Sequence, residues 1–205
     1  MQKTGVLFKC LYGFVKGIYY GFYNVHVEGR ENLPDGGYII ASNHRSYADP
    51  PLLAVTSGCS KFSFVAKEEL FRNRFFGWLI RKLGAFPVSR GKGDLSVIDD
   101  SVSRIKDGRR LVIFPEGTRS KTGKVGRGKT GVALIAARAD VPVVPAGIIF
   151  EGKLHFRSRI TVRYGKPINA DELKVSSEPT PHELKEIKGK IMGSITELVE
   201  GEGNG

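Results

Sequence analysis

Short apolar runs alternate with helical patterns along most of the chain. Runs rich in β-branched and aromatic residues, bounded by turn residues, predict strands over 25–29, 37–43, 61–67, 110–114, 141–150 and 159–165. Apolar positions at helical spacing predict helices over 50–57, 68–83, 94–107, 130–139 and 181–199. Strands that alternate with helices indicate an α/β fold, with one mostly buried sheet flanked by helices.

The pattern indicates one domain with a short segment at each end. The last helix has a capping-box start, with Thr180 and Glu183 three residues apart and Pro181 at the first helical position. No internal repeat or low-complexity linker interrupts the pattern. We therefore predict an N-terminal attachment helix over 1–24, one domain over 25–200 and a disordered Gly-rich tail over 201–205.

The N-terminal segment is almost wholly apolar or aromatic. Residues 5–23 are interrupted only by Lys9 and Lys16. As a membrane span the segment has about the minimum length, and a lysine near its centre costs about 2.5–3.5 kcal/mol. The two lysines are seven residues apart and lie on one side of a helix. This pattern favours a helix in the membrane interface, with a span and a buried helix as alternatives.

Charge narrows the class of partner. The 32 Lys and Arg residues against 21 Asp and Glu leave a net charge of +11, which favours an anionic partner such as nucleic acid, anionic lipid or a phosphorylated metabolite. The 205 residues suit one α/β domain, and 40% hydrophobic residues exclude a disordered or fibrous chain. Cys10 and Cys59 form no CxxC motif and have no His at ligand spacing, which argues against a disulfide scaffold and a structural zinc site.

One histidine and one aspartate stand where a strand turns into a helix. The predicted strand 37–43 ends at His44, and Asp49 follows five residues later, directly before Pro50. With Asp49 as the N-cap and Pro50 at the first helical position, the two side chains would meet across a tight corner. An imidazole oriented by a carboxylate can take a proton from a hydroxyl. Without the other residue, Asp49 is also explained as a helix cap, and His44 as a hydrogen-bonded turn residue with no catalytic role.

Two further strand ends carry glycine and arginine. The strand over 110–114 runs into Glu116, Gly117, Thr118 and Arg119, where glycine allows close backbone approach and arginine offers two parallel hydrogen bonds to phosphate. The corner over 84–90 ends similarly at Arg90. Ligands of open α/β sheets bind at such strand ends, so we predict a phosphate-containing ligand. An isolated turn of this kind is more often a solvated basic loop.

Together these residues resemble the four ordered motifs of the glycerolipid acyltransferases, in particular bacterial 1-acyl-sn-glycerol-3-phosphate acyltransferases. The motifs are Asn43-His44-x-x-x-x-Asp49, Gly84 to Arg90, Phe114 to Ser120 and Val141 to Pro145, and the resemblance extends from about residue 38 to residue 168. It implies transfer of a fatty acyl group from acyl carrier protein or coenzyme A to lysophosphatidic acid, giving phosphatidic acid in phospholipid biosynthesis. Glycerol 3-phosphate or another lysolipid stays open as the acceptor.

The resemblance also implies roles for single residues. His44 would be the general base for the acceptor hydroxyl, oriented by Asp49, and attack on the thioester would be direct. The phosphate would be bound by residues of two motifs and by a strand-end lysine, namely Glu116, Gly117, Thr118, Arg119, Arg90 and Lys67. Pro142 and Pro145 would shape the acyl site. No metal or other cofactor is implied beyond the acyl thioester.

One loop matches two nucleotide-binding patterns. Residues 123–130 fit the phosphate-binding loop of nucleotide hydrolases, and residues 126–131 fit the dinucleotide-binding motif, with Glu151 about 20 residues beyond. Both motifs require a strand immediately before the glycines, whereas the nearest predicted strand ends near Phe114. We therefore expect a flexible basic flap over the phosphate site, with nucleotide binding as a distant alternative.

Residues 71–82 mix basic and aromatic side chains, a composition that fits either nucleic-acid bases or a membrane interface. The apolar N-terminal segment favours lipid. We therefore predict no nucleic-acid partner and a peripheral or monotopic location on the cytoplasmic face of the cell membrane. The predicted membrane contacts are Lys9, Lys16, Phe75, Phe76 and Trp78.

Overall fold

The computed structural model describes residues 6–58, 61–88, 94–120, 122–150, 152, 154–173 and 179–201. Within these residues seven strands form one sheet. They are β1 (Asn24–Glu28), β2 (Tyr38–Ser42), β3 (Phe62–Lys67), β4 (Ala85–Val88), β5 (Arg110–Ile113), β6 (Val143–Phe150) and β7 (Arg159–Tyr164).

The strand order is β1-β7-β6-β2-β5-β3-β4. The last five strands in this order run parallel to one another, and β1 and β7 run the opposite way. The carboxyl ends of β6, β2, β5, β3 and β4 therefore share one edge of the sheet with the first residues of β1 and β7. We call this side the catalytic edge, because β2 ends there shortly before the predicted catalytic residue His44.

Helices cover both faces of the sheet. The α-helices of the described residues are α1 (Val6–Phe22), α2 (Asp49–Ser57), α3 (Arg74–Lys82), α4 (Asp94–Lys106), α5 (Gly131–Ala139), α6 (Ala170–Leu173) and α7 (Pro181–Glu200). Successive residues of β2 point to opposite faces. Ile39 and Ala41 pack with α4, α5 and α7, and Tyr38 and Ile40 pack with α1 and α2. The predicted α/β class with a mostly buried sheet is confirmed.

Two elements differ from the sequence prediction. The predicted helix over 68–83 is a 3₁₀ turn (Glu68–Phe71) followed by α3, because Asn73 is extended and its side chain accepts a hydrogen bond from the Phe76 N–H. Strand β4 was predicted only as a corner. It contains Pro87, which cannot donate to the ladder, and the fold accepts it because β4 is an edge strand.

The N-terminal helix packs on the domain by one side. The hydroxyl of Tyr12 donates to the Val55 carbonyl at 3.2 Å, and that of Tyr19 donates to the Ala48 carbonyl at 2.6 Å. Lys9 and Lys16 are exposed. None of the helices within the described residues has the length and hydropathy needed to cross a bilayer. The predicted interfacial position of α1 stays a prediction, and residues 202–205 of the predicted tail lie outside the described residues.

The capping box at the last helix is confirmed. The Thr180 hydroxyl accepts a hydrogen bond from the Glu183 N–H, and the Glu183 carboxylate accepts one from the Thr180 N–H. Helix α7 then buries Ile187, Ile191 and Ile195 against the sheet. These positions recur every four residues, which is the spacing of one helix face. One face of α7 therefore supplies its contact with the sheet.

Candidate active site

His44 and Asp49 meet at the catalytic edge, between the end of β2 and the start of α2. The Nδ1 atom of His44 lies 2.7 Å from Oδ2 of Asp49. The same oxygen accepts hydrogen bonds from the backbone N–H groups of Arg45 at 2.6 Å and Ser46 at 2.7 Å. Asp49 is fully buried, whereas the His44 side chain is 18% exposed. Only the imidazole of this pair can therefore reach a substrate.

The way Asp49 is held corrects one prediction. Asp49 is the first residue of α2 and not its N-cap, which is Ala48. Its carboxylate points back to the turn at Arg45 and Ser46, because Pro50 and Pro51 have no N–H to offer in the first helical turn. The turn still brings the side chain to His44. The predicted contact is present, but a different backbone arrangement produces it.

Two neighbouring side chains fix His44. The Asn43 amide, which is 2% exposed, accepts from the Ile148 N–H at 2.7 Å and donates to the Ile148 carbonyl at 2.9 Å. These two bonds pin the end of β2 to β6. The imidazole of His44 stacks on the Phe114 ring, with centroids 4.1 Å apart and planes 21° apart. Asp49 and Phe114 together set the direction in which Nε2 points.

Glu116 faces into the protein. It is 8% exposed, and its carboxylate accepts hydrogen bonds from the backbone N–H groups of His44, at 3.0 Å, and Gly126. Burial raises the pKa of Glu116, although these two hydrogen bonds act in the opposite direction. A carboxylate used in this way offers nothing to a phosphate. Its geometry is that of a positioning residue that joins His44 to the loop over 122–130.

The remaining residues of this motif lie at the surface. Gly117 adopts φ of +69°, and Thr118 and Arg119 are exposed. The Arg119 guanidinium lies over the Tyr47 ring, 3.7 Å from its centroid. The Lys129 side chain crosses Gly117 so closely that a Cβ there would lie 3.2 Å from its Cε. Arg119 and Lys129 thus lie close to Gly117, in the motif that contacts His44 through Glu116.

The other predicted site residues do not all lie at the catalytic edge. Lys67 is exposed at the last residue of β3, on the catalytic edge. Arg90 lies outside the described residues. Pro142 precedes β6 at the opposite edge, where its carbonyl accepts from the Ile39 N–H. Pro145 is buried within β6, opposite Ala41. The structure therefore does not bring Pro142 to the catalytic pair.

The loop with the nucleotide-binding patterns folds back on the preceding motif. Strand β5 ends at Ile113, well before Gly123, and the Lys129 N–H donates to the Pro115 carbonyl at 2.8 Å. A Cβ on Gly126 would lie 2.8 Å from the Glu116 carboxylate. The glycines of this loop therefore allow it to pack on Glu116. The strand that both nucleotide motifs need directly before the glycines is not present in the described part of the loop.

The central part of the chain matches one known protein family. Residues 24–149 match the family model described as Acyltransferase. The chain belongs to the acyltransferase family. The matched residues include β1 to β5, most of β6 and both members of the His44–Asp49 pair.

Several relatives of this chain are named as 1-acyl-sn-glycerol-3-phosphate acyltransferases. The chain is 35% identical over 159 residues to the 1-acyl-sn-glycerol-3-phosphate acyltransferase of Streptococcus pneumoniae, with 74% of this chain and 58% of that protein covered. It is 34% identical over 139 residues to the chloroplastic enzyme LPAT1 of Arabidopsis thaliana, with 66% and 38% covered. The chain thus spans less than two thirds of these two relatives.

Two further relatives cover more of their length. The chain is 30% identical over 182 residues to the 1-acyl-sn-glycerol-3-phosphate acyltransferase of Bacillus subtilis, with 82% of this chain and 89% of that protein covered. The crystal structure of the 1-acyl-sn-glycerophosphate (LPA) acyltransferase PlsC from Thermotoga maritima superposes with a TM-score of 0.72 at 27% identity. That match covers 97% of this chain and 82% of the other.

Sequence reasoning missed several residues of the acyltransferase site. Tyr47 and Phe114 stand within the two motifs, yet aromatic residues at such positions carry no signal of stacking on Arg119 or His44. Asn43 precedes the histidine directly, and a polar residue at the end of a buried strand was the available sign of its role. The described residues contain no cluster of three potential metal ligands. The expectation that the reaction needs no cofactor stays a prediction.

The predicted membrane contacts of the acyltransferase are exposed but not grouped together. Phe75, Phe76 and Trp78 lie in the first turns of α3, and the rings of Phe75 and Trp78 stack with centroids 6.3 Å apart. Lys9 and Lys16 lie on α1, which leads into β1 at one end of the strand order, whereas α3 leads into β4 at the other end. Contact with lipid stays a prediction for all five residues.

Proposed function

We propose that the protein transfers a fatty acyl group from acyl carrier protein or coenzyme A to the sn-2 hydroxyl of 1-acyl-sn-glycerol 3-phosphate, which yields phosphatidic acid. The observation that carries this proposal is the 2.7 Å contact between His44 Nδ1 and Asp49 Oδ2 at the catalytic edge. The relatives supply the substrate class, because their names specify this acceptor. The basic residues next to His44 suit its phosphate.

The catalytic pair acts on the acceptor hydroxyl. When the Nδ1–H group of His44 donates a hydrogen bond to Asp49, Nε2 has a free lone pair and takes the hydroxyl proton. The oxygen then attacks the thioester carbonyl carbon. The carbon–sulfur bond breaks as the tetrahedral intermediate collapses, and the thiolate takes the proton from the imidazolium. The buried Asp49 carboxylate stabilises that imidazolium, as in other His–Asp pairs.

The phosphate of the acceptor binds beside this pair. Arg119 provides two parallel N–H groups that match phosphate oxygens, and Lys67 adds a point charge at the end of β3. Gly117 leaves room for the Lys129 side chain to cross it, which brings a further positive charge close to Arg119. Glu116 holds His44 and the 122–130 loop in register, so the residue acts through them and not on the phosphate.

The identity of the acyl donor has two candidates with the same reacting group. Acyl carrier protein and coenzyme A both present a thioester, and a net charge of +11 attracts an acidic protein as well as the coenzyme's phosphates.

The fatty acyl chain and the lysophospholipid are both lipids. We therefore place the enzyme on the cytoplasmic face of the cell membrane, as a peripheral or monotopic protein.

The test is a phosphatidic acid assay with purified protein. Labelled acyl carrier protein thioester and labelled acyl coenzyme A are supplied separately, each with 1-acyl-sn-glycerol 3-phosphate or with glycerol 3-phosphate, and products are separated and identified by mass. We expect phosphatidic acid from at least one donor. Loss of the general base in His44→Ala is expected to lower kcat by about 10²–10⁴-fold.

A second histidine provides a matched control. His26 also lies next to a carboxylate, with Nε2 3.5 Å from Glu28, but it is exposed on β1. His26→Ala is expected to keep kcat within about twofold. Full activity in His44→Ala would falsify the mechanism. No product from either donor would overturn the proposed reaction, and faster acylation of glycerol 3-phosphate would identify a different acceptor.

A further inference from the structure

A cavity and an exposed aromatic pair lie together at one corner of the catalytic edge. The cavity measures about 360 Å³ and is bounded mainly by the last residues of α1 and by Phe156 and Arg157. Phe22 is 55% exposed and Phe156 is 62% exposed. Their rings meet edge to face with centroids 5.8 Å apart. We call Phe22, Phe156 and Arg157 the aromatic corner.

Backbone hydrogen bonds attach this corner to α1 and β1. The Arg157 N–H donates to the Phe22 carbonyl at 2.7 Å, and Arg157 itself adopts φ of +65°, a conformation that arginine rarely takes. The Asn24 N–H donates to the Ser158 carbonyl at 3.0 Å. The loop before β7 is thus attached to the end of α1, although it leaves a phenylalanine and an arginine in solvent.

The strand order places the corner on the same edge of the sheet as the catalytic pair, with β6 between β7 and β2. Phe22 precedes β1 and Phe156 precedes β7, and both strands begin at the edge where β2 ends with His44. On the other side of His44, β3 ends at this edge and leads into α3 with its exposed Phe75. Exposed aromatic side chains therefore flank the proposed site for a lipid substrate on both sides.

We infer that the aromatic corner enters the headgroup layer of an anionic phospholipid membrane, so that the catalytic edge of the sheet faces the lipid. This inference rests on the proposed function, because it concerns how that site reaches a lipid acceptor. Phenylalanine rings beside an arginine suit the membrane interface, where the rings lie at the level of the headgroups and the guanidinium binds phosphate. The cavity has the size of a small-ligand pocket and accepts one headgroup.

Helix α1 then does not lie flat on the membrane. Its Tyr12 contacts the end of α2 and its Tyr19 contacts the start, so α1 runs toward the catalytic edge while α2 runs away from it. Phe14 lies eight residues before Phe22, which is about 12 Å along the helix. Phe14 is 68% exposed, yet the docked edge holds it away from the headgroups.

Vesicle sedimentation distinguishes these orientations. Full-length protein is mixed with vesicles of phosphatidylcholine alone or of phosphatidylcholine with phosphatidylglycerol, and the bound fraction is measured for four variants. We expect Phe156→Asp to weaken binding to the mixed vesicles at least tenfold, and Arg157→Glu to remove the preference for phosphatidylglycerol. Phe156→Trp is expected to retain binding, because tryptophan is enriched at membrane interfaces. Phe14→Asp, a matched control on an equally exposed phenylalanine, is expected to change binding less than twofold.

Activity on a water-soluble, short-chain acceptor separates docking from catalysis. We expect Phe156→Asp to keep kcat/KM for this acceptor within twofold, because the residue touches lipid and not the catalytic pair. Equal weakening by Phe14→Asp and Phe156→Asp would overturn the inference in favour of a flat helix. Unchanged vesicle binding with loss of carrier-protein-dependent activity would overturn it in favour of a protein partner. A wild-type protein that binds vesicles but acylates no acceptor would refute the proposed function and leave the docking surface supported.

Discussion

The catalytic pair and the phosphate-binding side chains share one edge of the sheet but are held in different ways. Asp49 is buried and accepts three hydrogen bonds, and His44 is fixed between Asp49 and the Phe114 ring. Arg119 and Lys67 are exposed, and Arg119 rests on the Tyr47 ring. Proton transfer needs a fixed direction, whereas a phosphate can be bound by long side chains that close on it. The difference predicts separate effects on kcat and KM.

Asp49→Asn gives the largest expected effect on this comparison. The amide has nearly the shape of the carboxylate but cannot stabilise a positive imidazolium, so we expect kcat to fall by about 10²–10⁴-fold. KM for the acceptor is expected to change less than about threefold, since Asp49 does not reach the ligand. Steady-state kinetics with varied acceptor measures both values.

The control for this variant is Asp99→Asn, an exposed carboxylate on α4 that pairs with Arg138. It is expected to leave kcat and KM unchanged. Thermal unfolding of Asp49→Asn reports whether the variant is folded. A folded Asp49→Asn with normal kcat and a raised KM would contradict the division between the two regions.

Arg119→Ala is expected to act on the other parameter. Removing a charged hydrogen-bond donor to phosphate costs about 1.5–3 kcal/mol, which corresponds to a rise of about 10–100-fold in acceptor KM. We expect kcat to stay within a few-fold, because the catalytic pair is untouched. Arg138→Ala, at an exposed position of α5, is the control for loss of one positive charge. An unchanged KM in Arg119→Ala would remove this residue from the phosphate site.

The sequence predicts the local parts of both regions well. The strand before His44, the five-residue step to Asp49 and the glycine before Thr118 are all local patterns, and local patterns determine turns. The sheet class follows from the alternation of strands and helices. Strand β4 escapes prediction because four residues with Pro87 resemble a turn until a neighbouring strand is present.

The contacts that arise from the tertiary fold could not be read from the sequence. Glu116 faces inward because the loop over 122–130 returns to it, and nothing in the motif itself indicates that return. Pro142 belongs to the last of the four motifs along the chain. It precedes β6, which begins at the opposite edge of the sheet, so the fold separates Pro142 from His44. Spacing along the chain predicts turns; it does not predict which edge of a sheet a residue occupies.

Tyr47→Leu tests the contact between the Arg119 guanidinium and the Tyr47 ring. A cation–π contact at an exposed site is worth about 0.5–1 kcal/mol, so we expect acceptor KM to rise about two- to fivefold with kcat unchanged. Tyr47→Phe keeps the ring and is expected to restore the wild-type KM. If leucine and phenylalanine give the same KM, stacking does not position the guanidinium. A fall in kcat would instead place Tyr47 with the catalytic pair.

The smallest effect concerns Glu116, which joins the two regions. Burial raises its pKa above the ordinary value of 4.5, so the folded protein binds this proton more tightly than the unfolded chain does. Glu116 therefore contributes most to stability below pH 4.5, and that contribution is lost as the pH rises through the raised pKa. As the pH falls from 7 toward 4.5, the wild type should gain stability relative to Glu116→Gln.

Urea unfolding at several pH values gives the difference in free energy of unfolding between wild type and Glu116→Gln. The change of this difference with pH measures the gain. The loss of one acceptor in Glu116→Gln lowers stability equally at every pH, so it cancels, and only the titration remains. Glu69→Gln, at an exposed residue of the 3₁₀ turn, corrects for removal of a carboxylate in general. A pH-independent difference between wild type and Glu116→Gln would mean that folding does not raise the pKa of Glu116. The hydrogen bonds from His44 and Gly126 would then offset the burial of the carboxylate, and Glu116 would connect the two regions as a stable anion.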